Sequence, residues 1–408
     1  MTDTLFTNAR LDTGDTVSLA VTDGRISAIG PDIAARADTT IDLGGALLVP
    51  SFVEGHIHLD TSFYGDDWKP HKPCTDGFDV HERVRYQTEN LGQAAPIAER
   101  ARNQLELCLS HGTTAMRSHA MVDNSVGLTH VEALLQVRSE YADLIDLQIV
   151  AFPQNGIVTN PGTAEIMDEA VTLGCDLVGG LDPATFDRSI EGHLDAVFGI
   201  AERRGVDVDI HLHDFGTVGA FEIETICART EALGMQGHVA VSHAYGLGDL
   251  DETAQQKIAA LIARAGVSIM TNAPGHHAFP PVRILAEAGA TVFSGSDNIQ
   301  DSWWPYGDGD MLTRAMLIGY RSGFFTDDLL RLAFDVTSAN GARALRLDGH
   351  GLNVGDKADF VALQAPHVPF AVAMVPRPRQ VFRAGRLIAR DGVLLASRSD
   401  SSPVRPAA

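Results

Sequence analysis

The segment Gly55-His-Ile-His58 ends an apolar run with two histidines two residues apart. On an extended strand that spacing turns both imidazoles to one side while Ile57 faces away. Two nitrogens then converge on one point. A pair of this kind is about as readily two ordinary polar residues as a site, but three later apolar runs end in matching groups. His211 follows Val-Asp-Ile, His243 follows Val-Ala-Val-Ser, and Asp297 follows Phe-Ser-Gly-Ser. Imidazole and carboxylate donors suit one divalent metal ion, zinc or ferrous iron, and spacing does not separate those two. A centre of that type with an open position makes hydroxide available near neutral pH, which points to hydrolysis.

Other chemistry-bearing residues cluster after the same runs. Asp214 lies three residues beyond His211, and a carboxylate there could shuttle protons or merely cap a loop. Gln154 can donate and accept in one plane, or bond nearby backbone. Asn298 follows Asp297, and Trp303 and Trp304 could wall a flat ring or simply pack. His119, His276 and His277 fall at or after strand ends, whereas His81, His130, His193, His350 and His367 are read as unrelated to the metal.

The elements that must position these groups are eight apolar, β-branched runs, at residues 46–58, 113–119, 145–154, 176–181, 207–213, 238–244, 268–274 and 291–297. Segments with helical spacing intervene, such as 94–109, 192–204, 221–233 and 250–265, which is the pattern of buried parallel strands joined by crossover helices. Eight such units predict an α/β fold closed as a (β/α)8 TIM barrel. A doubly wound open sheet competes, but no Gly-rich fingerprint follows the first run, and polar groups at the ends of many strands are how barrels collect chemistry. The connection 59–95, with Asp66-Asp67-Trp68, is long enough to fold over the site as a lid.

Both chain ends have a different texture. Residues 5–11, 17–21 and 25–29 alternate around Asp23-Gly24, and 359–363 with 380–388 repeat the style. Residues 1–48 plus 348–396 are therefore expected to form a small β subdomain, 49–347 the barrel, and 397–408 a disordered tail.

The chain has 408 residues and a formal charge of −22, which opposes nucleic acid and anionic membrane as partners and favours a small neutral or cationic molecule. Cys74, Cys108, Cys175 and Cys227 lack C-x-x-C spacing, against a thiolate zinc site or a disulfide framework. With neither a signal segment nor an apolar span, a cytoplasmic protein is expected; homo-oligomerisation stays open.

The constellation resembles the amidohydrolase superfamily, whose members carry H-x-H on strand one, histidines on strands five and six and aspartate on strand eight of a distorted barrel with a flanking β-sandwich. Within it the likeness is to bacterial cytosine deaminase, in a group with s-triazine hydrolases of the N-isopropylammelide aminohydrolase type that share the mononuclear barrel. It is carried by Phe52-Val-Glu-Gly-His-Ile-His-Leu-Asp-Thr61, Asp146-Leu-Gln-Ile-Val-Ala-Phe-Pro-Gln-Asn-Gly156, Val241-Ser-His243 and Trp303-Trp-Pro-Tyr-Gly307. Members with two metals bridge them by a carbamylated lysine on strand four. No lysine lies between Lys72 and Lys257, so the resemblance implies one metal on His56, His58, His211 and Asp297. His243 would then orient the attacking water, Asp297 accept its proton, Asp214 stand where deaminases use a glutamate, and Gln154 and Asn298 meet the ring beside Trp303.

Departures lie around that core: Asp214 is one methylene short, Asn298 replaces a second acid, and Met121 stands where an aspartate is expected. The resemblance implies cytosine-like deamination with ammonia release. Amine release from an s-triazine or a creatinine-like cyclic amidine is the alternative, and a non-catalytic barrel binding protein is the alternative of another class. The zinc deaminases with H-x-E and P-C-x-x-C are excluded, because Pro73-Cys74 is followed by Thr-Asp-Gly.

Overall fold

A computed structural model describes residues 2–33, 36–275 and 277–397. His276 and residues 398–408, part of the expected tail, lie outside the described residues. Eight parallel strands follow one another in chain order: Phe52–Ile57, Thr113–Met121, Asp146–Phe152, Leu177–Leu181, Asp207–Leu212, Val239–His243, Ser268–Thr271 and Val292–Ser294. Their residues are buried on both faces, which is why the runs read as continuously apolar and not as alternating. Each of the eight expected runs contains or overlaps one barrel strand.

The helices between them show why the sequence folds this way. Glu252–Ala265 starts at Asp251, whose carboxylate accepts from the Ala254 N–H, and carries Glu252 in its first turn. It turns Ile258, Ala259, Ile262 and Ala265 to the barrel and stops at Gly266, whose φ of 63° glycine adopts without strain.

The barrel closes between the first and eighth strands at the end where the site lies. Ile57 and Asp297 form a parallel bridge, Asp297 N–H donates to the His56 carbonyl at 2.8 Å, and His58 N–H donates to the Asp297 carbonyl at 3.3 Å. Glycine makes this seam possible. A Cβ on Gly295 would stand 2.3 Å from the His56 carbonyl oxygen and 2.4 Å from its nitrogen. Gly295→Ala is thus expected to destabilise by about 1–3 kcal/mol and to loosen the strand that carries His56. A lowered thermal midpoint together with lowered metal affinity is the predicted result, and a wild-type value of both would show the seam to be unimportant.

The chain ends form a separate sheet. Thr2–Arg10, Thr16–Thr22, Arg25–Gly30, Ala37–Asp42 and Leu47–Pro50 join Phe360–Leu363, Arg379–Arg383, Arg386–Arg390 and Val393–Leu394. The two ends meet where Leu47–Pro50 pairs antiparallel with Phe360–Leu363. Phe6 packs edge-on against Phe360 and Phe382 at 5.0 and 5.1 Å in its core. The run 46–58, expected as one strand, is two: Leu47–Pro50 belongs to this sheet and Phe52–Ile57 to the barrel. Pro50 has no N–H to extend the first ladder, so the chain changes sheets at Ser51. No helix among the described residues is long and apolar enough to cross a membrane.

Candidate active site

The carboxyl ends of the strands bring four of the expected groups to one point. Asp297 Oδ1 lies 3.5 Å from His56 Nε2 and 3.4 Å from His58 Nε2, and His58 Nε2 lies 3.3 Å from His211 Nε2. Donors about 2.1 Å from a shared tetrahedral centre stand roughly 3.4 Å apart. All four side chains are buried. The tautomer of His56 follows from its neighbours. Ser242 Oγ donates to Asp209 at 2.6 Å, so at 2.9 Å it accepts from His56 Nδ1–H, and Arg117 holds the other oxygen of Asp209 at 2.9 Å. His56 Nε2 is left as a buried lone pair with no partner. That orphaned atom, within an imidazole–carboxylate set of this spacing, fits a divalent metal.

His243 stands beside this set, its Nδ1 4.0 Å from Asp297 Oδ2 and both its ring nitrogens without partners. Burial holds its pKa well below the ordinary value, so the ring is neutral. Burial opposes the charge of Asp297, but His243, His56 and His58 outweigh it and hold the carboxyl well below its usual range. Asn272 Nδ2 donates to Asp297 Oδ2 at 2.8 Å. His243 and Asp297 both have left-handed backbones, with φ of 71° and 60°. Such conformations cost on the order of 1–3 kcal/mol each and persist only where the surroundings impose them.

A cavity of about 500 Å³ opens above the cluster. Gln154, Asn298 and Trp303 line it with His58, His211, His243 and Asp297. Asn298 Nδ2 donates to Asp301 at 2.6 Å, and Asp301 also accepts from the backbone N–H groups of Trp303 and Trp304. Burial pushes the Asp301 carboxyl up to about 6.

Asp214 is placed differently from the expectation. It is buried outside the cavity lining, where Thr185 donates to its carboxylate through both hydroxyl and N–H. Burial and the charge of Asp182 raise its pKa, and behind it burial and the charge of Asp214 push Glu222 up to about 9. His213 faces the cavity instead. Its Nδ1–H donates to Asp182 Oδ2 at 2.9 Å, and its ring lies parallel to that of His243 at 4.4 Å. Burial works against a charge on His213, but Asp182, Asp297 and Asp214 outweigh it and the pKa is raised. His213 could have been found from sequence, since His211-Leu-His213 repeats the period-two geometry of His56-Ile-His58.

Of the remaining histidines, His277 lines the cavity, and His119 lies beneath it with its ring 4.0 Å from that of His56. His130 is engaged by Asp60 at 2.8 Å and His193 by Asp187 at 2.6 Å, away from the cluster.

Residues 39–406 match the profile of the Amidohydrolase family. The chain belongs to that family. It is 32% identical over 400 residues to N-isopropylammelide isopropyl amidohydrolase of Pseudomonas sp. (strain ADP), covering 97% of this chain and 99% of that one. The crystal structure of N-isopropylammelide isopropylaminohydrolase from Burkholderia multivorans superposes with a TM-score of 0.92 at 36% identity, covering 97% of this chain and 100% of that one. That of 5-methylcytosine deaminase from Klebsiella pneumoniae gives 0.83 at 27% identity, covering 98% and 99%. As a member of the family the chain is a hydrolase of carbon–nitrogen bonds, and its His/Asp cluster is compatible with the divalent metal such enzymes use.

Proposed function

We propose that the chain hydrolyses an amine from a planar, oxo-bearing nitrogen heterocycle, with amino-s-triazines as the first substrate class. His56, His58, His211 and Asp297 hold one divalent metal, zinc or ferrous iron. The observation that carries the reading is the make-up of the cavity, where a buried ligand set, the His213–Asp182 pair and a carboxamide share aromatic walls. When bound, the metal supplies a water acidified toward neutral pH.

The chain's own residues do the rest. Neutral His243 orients the attacking water, and Asp297, steadied by Asn272, takes its proton. His213 has its Nδ1–H committed to Asp182, so its Nε2 is the atom that delivers a proton to the departing nitrogen. A raised pKa keeps more of it protonated near neutral pH, as a general acid requires. Gln154 and Asn298 bind polar edges of the ring, and Trp303 supplies a flat wall. At the mouth Phe78, Phe215 and Tyr245 gather around His277 at 4.9 to 5.4 Å, an apolar rim suited to an alkyl group on the leaving amine.

Cytosine-like deamination is the second reading. It is supported by the likeness to 5-methylcytosine deaminase and by Gln154 on the cavity wall. Assaying metal-loaded protein on alkylamino-oxo-s-triazines, cytosine, 5-methylcytosine, isocytosine and creatinine separates the two. The expected outcome is alkylamine release at a kcat/KM above about 10⁴ M⁻¹s⁻¹, with slower ammonia release from the pyrimidines. Preferred turnover of a pyrimidine selects the second reading, and no amine from any of these rings rejects both.

A further inference from the structure

The helix Val80–Leu91, in the long connection after the first barrel strand, turns Arg83, Gln87 and Asn90 to one side at four- and three-residue spacing. That side meets the loop after the eighth strand. Asn90 Nδ2 donates to Ser302 Oγ at 2.9 Å, and Arg83 donates to the Ser302 carbonyl at 3.4 Å. Between them Gln87 is 1% exposed and fully engaged. Trp303 Nε1–H donates to Gln87 Oε1 at 2.6 Å, while Gln87 Nε2 meets Gln154 Oε1 at 3.5 Å and Met121 Sδ at 3.1 Å.

The direction of this relay follows from one fact. An indole nitrogen can only donate. The Gln87 atom that faces it must be the oxygen, which puts the Gln87 NH2 group against Gln154. The nearer atom of Gln154 must then be its own oxygen, and its NH2 group turns away from Gln87. Gln154 is 3% exposed, and that exposure is to the cavity it lines. Three side chains from the loops after strands one, three and eight thus share a single polarity. Met121, at the position where an aspartate was expected, accepts the second Gln87 hydrogen weakly and imposes no opposite order.

We propose that Gln87 is a positioning residue that makes Gln154 a donor toward the bound ring. The site then selects a heterocycle that presents a ring carbonyl at that edge over one that presents an amino group there. The inference rests on the ring-hydrolase reading above and adds to it the kind of edge the substrate must show.

The test is equilibrium binding of the trioxo and triamino s-triazines to metal-loaded protein by calorimetry, read as the ratio of the two dissociation constants. Gln87→Glu keeps an oxygen for Trp303 but offers no N–H to Gln154. The Gln154 amide then reverses, donates to the new carboxylate and turns its oxygen to the ring. The ratio is expected to shift toward the triamino ring by about tenfold or more. Gln87→Leu frees the Gln154 amide to turn either way and should move the ratio part of that distance. A ratio within about twofold of wild type in both variants overturns the proposal, as does wild-type protein that binds neither ring. A folded Gln87→Leu carries the test alone should the glutamate variant not fold. Turnover of the alkylamino substrate is measured alongside. Its absence with the binding shift intact rejects the hydrolase reading and leaves the role of Gln87 standing.

Discussion

Purified His211→Ala is expected to bind the metal at least roughly a hundredfold more weakly than the wild-type chain and to lose turnover in parallel. Three separations of 3.3 to 3.5 Å link His56, His58, His211 and Asp297 in one chain of contacts. No fifth group of this set can take over without moving. On the cavity side His243 is the candidate replacement, and with His56 and Asp297 it forms a second, overlapping cluster of possible donors. Its ring, however, lies parallel to His213 and on a left-handed backbone, so turning it into the vacated position breaks that stack and strains the strand end further. His243→Ala should therefore keep most of the metal while losing activity. Metal analysis of both proteins checks the division: full metal content in His211→Ala would overturn the ligand set, and full loss in His243→Ala would add His243 to it.

The eight barrel strands were legible because parallel strands covered by helices must be apolar on both faces, and the runs carry that signature without alternation. The change of sheet inside 46–58 was not read, although Pro50 marks it, because the run is apolar on both sides of the break. The metal-compatible groups were legible from strand-end position and period-two spacing. Asp214 was expected in the site from its distance from His211 in a related pattern; its carboxylate meets Thr185 outside the cavity lining, just past the strand end at Leu212, where spacing alone does not fix which way a side chain turns. Gln87 left no local signal. Its partners lie 67 and 216 residues away, on loops whose approach only the closed barrel determines.

His213→Gln is expected to lower kcat by about 10²–10⁴ while leaving metal content near wild type. The substitution keeps a polar side chain of similar reach but removes the titratable group that this stretch turns to the cavity beside the ligand His211. Asp182→Asn probes the same proton from behind. Asp182 accepts from both the His213 backbone N–H and the ring Nδ1–H. An amide that still serves the backbone N–H turns its NH2 to the ring, which forces Nδ1 to accept and drives the proton to Nε2. With the negative charge gone, the raised pKa of His213 falls. A general acid works in its protonated form, so the rate declines as pH rises through that pKa. Lowering the pKa moves the alkaline limb of the kcat profile to lower pH, and the direction of the shift is the check. Asp214→Asn changes a carboxylate turned toward Thr185 and Glu222, outside the cavity lining, and should cost no more than a few-fold. A loss in Asp214→Asn as deep as that in His213→Gln, with the limb unmoved in Asp182→Asn, would return the proton to Asp214 and remove His213 from the reaction.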